Sequence, residues 1–143
     1  MSDETSRVVV GVDGSPSSEQ ALAVALEEAR LRDALLEVVH VYPTLPLVGN
    51  TGPELRAQGE AAARATLDEI LARAPSTEGV RVAARVIGGN PAEVLIEESR
   101  DAVLLVVGTR GLGGFRALVL GSVSNQCVHH AHCSVVVVRG ATA

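Results

Sequence analysis

The stretch from Gly108 to Ser124 reads GTRGLGGFRALVLGSVS. Its skeleton is Gly108-x2-Gly111-x9-Gly121-Ser122. Glycine lets backbone N–H groups approach a phosphate closely, and the start of a helix offers unpaired N–H groups and a positive dipole end. Gly121, Ser122 and Val123 stand at such a start, with the Ser122 and Ser124 hydroxyls as extra donors. Gly108 and Gly111 flank a turn able to wrap a ribose or a phosphate. The same spacing also fits a flexible glycine-rich loop with an ordinary serine cap. Arg110 and Arg116 lie in this loop, within reach of a phosphate or simply solvated.

A second polar cluster follows the first apolar run. Val8–Val12 ends at Asp13-Gly14-Ser15-Pro16. A carboxylate at Asp13 can hold a metal ion or a ribose hydroxyl, or it can cap the turn after it. Beside a triphosphate it would repel unless a cation intervened, so a ligand role for Asp13 implies Mg²⁺ or a ribose contact.

Other chemistry is excluded or weak. All 12 cationic residues are arginine, so no Walker-type, Schiff-base or general-base lysine exists. No Ser-His-Asp order, acid dyad or Cys-His nucleophile stands out, and no catalytic residue is assigned. Cys127-Val128-His129-His130-Ala131-His132-Cys133 holds zinc-type ligands, with Cys127 and His130 on one helix face. It equally describes a helix end whose histidines suit the negative dipole and whose cysteines fill apolar space. The second reading is preferred, so no protein metal cluster is expected. His40, inside an apolar strand, reads as a packed residue.

The elements that position these residues alternate along the chain. Ser15 caps a first helix that opens on Pro16 and turns Ala21, Leu22, Ala25, Leu26 and Ala29 to one side. Leu35–Tyr42 is a β-branched-rich strand. Thr44–Pro53 reads as a loop. Ala63, Leu67, Ile70, Leu71 and Ala74 form a second helical stripe. Val80–Ile87 alternates, with Arg81 and Arg85 opposite the valines, as an edge strand should. Asn90-Pro91-Ala92-Glu93 opens a third helix as a capping box, with Ala92, Leu95, Ile96 and Ser99 inward. Val103–Val107 is an apolar strand broken by Gly108. A fourth helix starts at Ser122 and turns Val123, Cys127 and Val128 inward. Val135–Val138 is the last strand. This alternation predicts an α/β fold: a Rossmann-like, open five-stranded parallel sheet of order 3-2-1-4-5, with helices on both faces. Ligands of such sheets bind at the strand carboxyl ends where the order reverses. Both polar clusters fall there.

Composition bounds the rest. The chain of 143 residues, 47% apolar, is expected to be one domain, 1–143, with a core it can bury without staples. Aromatics are 1%, and the formal net charge is −5. Neither a stacking platform nor a basic face is available, so no nucleic-acid partner is expected. No apolar run approaches the ~18 residues of a membrane span. The acidic start MSDETSR resembles no signal peptide. A cytoplasmic protein without a membrane partner is the expectation.

Taken together, the chain resembles the universal stress protein family, in its ATP-binding branch. Gly108, Gly111, Gly121 and Ser122 match the family's G-x2-G-x9-G-[ST] motif. The opening VVVGVDGSPSSEQAL and the closing VVVVR are similar as well, so the resemblance runs from about Arg7 to Arg139. It implies that Gly11, Val12 and Asp13 meet adenine, ribose and phosphate, and that Val41 lines the adenine pocket. It implies that Gly108 and Gly111 lie near ribose and phosphate, while Gly121, Ser122, Val123 and Ser124 cradle the phosphates. ATP with Mg²⁺ bridging its phosphates is the implied cofactor. A homodimer through Val135–Val138, acting in a stress response with little or no turnover (at most a slow ATPase), is the implied state. Two alternatives remain open at this point. One is an ATP-using enzyme of a related α/β superfamily, against which Asp13-Gly14-Ser15-Pro16 stands in place of a Ser-Gly-Gly loop. The other is an interaction module that ignores nucleotide.

Overall fold

A computed structural model of the chain describes residues 6–44, 52–109 and 121–140. The elements run β1 Arg7–Gly11, α1 Pro16–Arg32, β2 Leu35–Tyr42, α2 Gly52–Ala72, β3 Val82–Gly88, α3 Pro91–Glu98, β4 Leu104–Gly108, α4 Ser122–His130 and β5 Ser134–Val138. The five strands form one sheet in the order β3-β2-β1-β4-β5, all neighbours parallel. This is the α/β architecture and strand order expected from the sequence.

The register explains why both faces of the central strand are apolar. Along β1, Val8 and Val10 face one side with Leu22, Leu26, Leu67 and Ile70 of α1 and α2. Val9 faces the other side with Leu95 of α3 and Cys127 of α4. Successive side chains of a strand point to opposite faces, so a strand between two helical layers must be apolar at every position. Full burial of each Val or Leu contributes roughly 1.5–3 kcal/mol. The α1 stripe Ala21, Leu22, Ala25, Leu26 and Ala29 is wholly buried. Its alanines let the helix lie close to β1 and β4.

The edge strand β3 carries its charge as expected. Arg85 pairs with Glu37 at 3.2 Å and Glu98 at 2.7 Å. Arg7 donates two bonds to the Glu98 carbonyl, at 2.8 and 3.1 Å, and one to Arg100 at 3.1 Å, so it satisfies the end of α3.

Boundaries and faces differ from the expectation at several places; β3, for one, runs Val82–Gly88 rather than Val80–Ile87, which leaves Arg81 outside it. Val103 lies outside β4 and is 39% exposed, because the strand begins only where it pairs with β1 and β5 at Leu104. Gly108 is inside β4, paired with Val138, rather than its breaker. Gly52 and Pro53 open α2 instead of closing the loop, since proline needs no N–H in a first turn. Val128 is 45% exposed, not inward. The nine-residue α4 has one buried line, Ser124 and Cys127.

Candidate functional site

Strand order reverses between β1 and β4, and the chain leaves each of them toward a helix. At the β1 exit the Val12 N–H donates to the Val39 carbonyl at 2.9 Å. His40 Nδ1 lies 2.9 Å from the Val12 carbonyl. The Asp13 N–H donates to Ser18 Oγ at 3.2 Å, and Asp13 Oδ1 accepts the Ser15 N–H at 2.9 Å. Gly14 takes φ +85°, the left-handed region that suits glycine. Ser15 Oγ then accepts the Ser18 N–H, capping α1. Asp13 therefore does cap its own turn, through Oδ1.

At the β4 exit the Thr109 N–H donates to the Val138 carbonyl at 2.8 Å. The Thr109 carbonyl accepts the Gly121 N–H at 2.6 Å and the Ser124 hydroxyl at 2.7 Å. The glycine-rich loop thus leaves and returns at one point. Gly111, Arg110 and Arg116 lie outside the described residues. Gly121 is the N-cap of α4, and no side chain among the described residues caps it. The first intrahelical bond runs from the Asn125 N–H to the Gly121 carbonyl. The N–H groups before it have no partner within the helix. Ser122 at the tip is exposed, Val123 is half-buried, and Ser124 is 2% exposed. The Ser124 hydroxyl donates to the Thr109 carbonyl, with the Gly121 carbonyl at 3.2 Å as a longer second acceptor.

Gly11 and Val41 face the α3–α4 side. A Cβ on Gly11 would come to 2.6 Å from Leu95 Cδ1. Val41 packs with Ile87 on the cluster of Val9, Val39 and Leu95. Gly108 answers to a different neighbour. A Cβ there would lie 2.7 Å from the Ser17 carbonyl carbon and 2.8 Å from the Ser18 nitrogen. The glycine lets the first turn of α1 rest on β4. Gly11, Val12, Asp13, Gly108, Gly121, Ser122, Val123 and Ser124 thus lie at the two strand exits, with Val41 near the end of the adjoining β2.

Thr109, Ser18 and His40 also build the two exits, and sequence reasoning gave none of them a role there. The signal for His40 was a polar ring in an apolar strand, which must find a partner when buried. The other His/Cys positions do not converge. Among the described residues, no group of three or more His, Cys, Asp or Glu side chains could hold a metal ion. Cys127 is fully buried under α4, and burial pushes its thiol from 9.0 up to about 11. Burial also raises the Cys133 thiol, while Arg7 pulls it the other way. No described helix is long and apolar enough to cross a membrane.

Comparison with known proteins places this geometry in a family. Residues 4–139 match the Universal stress protein family. A universal stress protein of Mycolicibacterium smegmatis is 41% identical over 136 residues, covering 92% of this chain and 45% of the relative. One from Thermus aquaticus is 37% identical over 138 residues, covering 92% of this chain and 97% of the relative. The chain therefore spans about half the length of its mycobacterial relative and nearly all of the Thermus one. Among solved structures, a universal stress protein in complex with cAMP has a TM-score of 0.72 at 29% identity, over 95% of this chain and 98% of that one. A family protein from Arabidopsis thaliana with AMP bound has a TM-score of 0.66 at 25% identity, over 96% and 93%. From the sheet order, the strand-exit turns and these matches together, the chain belongs to the universal stress protein family.

Proposed function

We propose that this chain binds an adenine nucleotide in the crevice between the β1 and β4 exits, as one nucleotide-binding domain spanning residues 1–143. The observation that carries the reading is the N-terminus of α4. It sits at the topological switch, lacks a side-chain cap among the described residues, and is closed from below by Thr109. The N–H groups of Ser122, Val123 and Ser124 are the phosphate donors, and the Ser122 hydroxyl adds another. The base lies between Val41 and the Val12–Asp13 turn, and Gly111 approaches the ribose or phosphate. The cAMP and AMP complexes of similar chains support the same ligand class.

ATP is the proposed nucleotide, with Mg²⁺ carried by its phosphates. Asp13 Oδ1 is engaged in its own turn, so the carboxylate meets the cation or a ribose hydroxyl through Oδ2. Turnover is slow or absent on this reading, because no lysine exists in the chain. The protein works in the cytoplasm in a stress response, as a homodimer joined through β5, whose Val135–Val138 forms an apolar outer strand.

The test is calorimetric titration of ATP, AMP and cAMP into the wild type and Gly121→Asp, with circular dichroism on both and light scattering on the wild type. Gly121→Asp puts a side chain where backbone must approach, and a negative charge beside phosphate. It should weaken ATP binding by more than ~1.4 kcal/mol, a tenfold change. Equal affinity in the two folded proteins removes the glycine turn from the site. A wild type that binds none of the three rejects the nucleotide reading in favour of an interaction module. A monomer at micromolar concentration rejects the β5 pairing.

A further inference from the structure

The peptide joining Val12 to Asp13 is the first one beyond the β1 ladder. Its two polar groups lie on opposite edges of one rigid plane. His40 Nδ1, 28 residues away, stands 2.9 Å from the Val12 carbonyl. Ser18 Oγ accepts the Asp13 N–H at 3.2 Å. Ser18 Oγ is itself fixed, because its own proton goes to the Ser15 carbonyl at 3.0 Å. Side chains from β2 and α1 therefore hold the plane at both edges and set its rotation. The direction of the Asp13 side chain follows from that rotation.

We propose that His40 is a positioning residue for the nucleotide site, acting through the Val12 carbonyl to fix the Val12–Asp13 turn. The inference rests on the nucleotide reading above. A carbonyl oxygen can only accept, so the ring nitrogen facing it must carry the proton. The neutral imidazole is thus the Nδ1–H tautomer. Packing alone does not ask for it. The neighbours Val38, Val39 and Val41 show what packing selects in β2, and a half-buried imidazole costs desolvation that a valine avoids. What His40 adds is one directed N–H aimed at the turn that carries Asp13.

Two measurements test this. The first is nitrogen-15 NMR of the wild type, which reads the His40 tautomer without any variant. The second is calorimetry with ATP and Mg²⁺ on His40→Leu and His40→Asn, alongside thermal melts. Leucine keeps volume and loses the donor. Asparagine places an N–H near the position of Nδ1. The expected result is an Nδ1–H tautomer, affinity about three- to tenfold weaker in His40→Leu, and affinity restored to within about twofold in His40→Asn. A role in stability alone would lower the melting temperature of His40→Leu and leave its affinity unchanged, which overturns the proposal. An Nε2–H tautomer in a wild type that binds ATP overturns the His40 assignment and leaves the nucleotide site standing. A wild type that binds no ATP, AMP or cAMP overturns both.

Discussion

Two helix N-termini meet at the switch point, and they are built in opposite ways. The start of α1 is closed by the protein itself. Ser15 caps the Ser18 N–H, Asp13 takes the Ser15 N–H, and Gly108 lets the whole turn press onto β4. The start of α4 has glycine at the cap and no side-chain cap among the described residues. The Ser124 hydroxyl is tied to carbonyls, Thr109 at 2.7 Å and Gly121 at 3.2 Å, and caps no N–H. Helix α3, also capped by a side chain, follows the first pattern, with Asn90 accepting the Glu93 N–H at 3.0 Å. A capped end is finished by its own sequence, whereas an uncapped end in the same crevice keeps its N–H groups available to something else. On the proposed reading, the first end is scaffold and the second is the receiving surface. Substitutions at the first should register in stability and at the second in affinity.

The largest expected effect attacks the scaffold end. Gly108→Ala sets a methyl against backbone atoms of Ser17 and Ser18, which cannot rotate away. Overpacking of this kind should cost about 3 kcal/mol in denaturant unfolding. Unchanged stability would mean that α1 does not rest on β4 as described. The next effect concerns what anchors the receiving end. Cys127 pins α4 to the sheet, and its thiol is raised from 9.0 to about 11 by burial. Below pH 9 the thiol is neutral whether the chain is folded or not. Between about pH 9 and 11 the unfolded chain loses that proton and the folded one keeps it, so stability falls as pH rises. The loss should reach about 2 kcal/mol by pH 11, and Cys127→Ala should flatten this part of the profile. An equal slope in the variant would place the titration elsewhere. The smallest effect is the most discriminating. Ser15→Ala should cost about 1 kcal/mol of stability and leave ATP affinity alone. Ser122→Ala should do the reverse, weakening ATP binding with no measurable change in melting. Matching behaviour of the two serines would erase the distinction between the ends.

Much of this is legible in the sequence, for reasons that differ by region. The α1 stripe could be read because Ala21, Leu22, Ala25, Leu26 and Ala29 repeat at helical spacing and all face the core. The strand order could be read because a central strand apolar on both faces needs helices above and below. Gly108 stands out in the sequence as a strand breaker, whereas it lies inside β4 against the first turn of α1. Spacing shows where a glycine stands, and only packing shows that the first turn of α1 occupies the place of its side chain. Ser124 was read as a free donor, but its proton is committed to a carbonyl 15 residues back in the chain. His40 could not be paired from sequence, since its partner is brought beside it only by the register of β1 on β2. Local pattern reached the elements. The tertiary hydrogen bonds that finish the site depend on which elements become neighbours.

The position of β1 also governs the order in which the molecule can be made. Of the five strands it is the first to be synthesised, yet it lies at the middle of the sheet, with Val8 paired to Leu36 on one side and to Leu104 on the other. A nascent chain that has reached only β3 holds β1 with one flank open, and the apolar residues that α3, α4 and β4 will later cover remain wet. Closure of the centre waits for contacts of long sequence separation, and such contacts are slow because loop entropy must be spent before they form. Synthesis therefore passes through a long interval in which a complete hydrophobic strand stands half-paired. That interval, rather than the finished fold, is when the apolar surface of this chain is most open to aggregation.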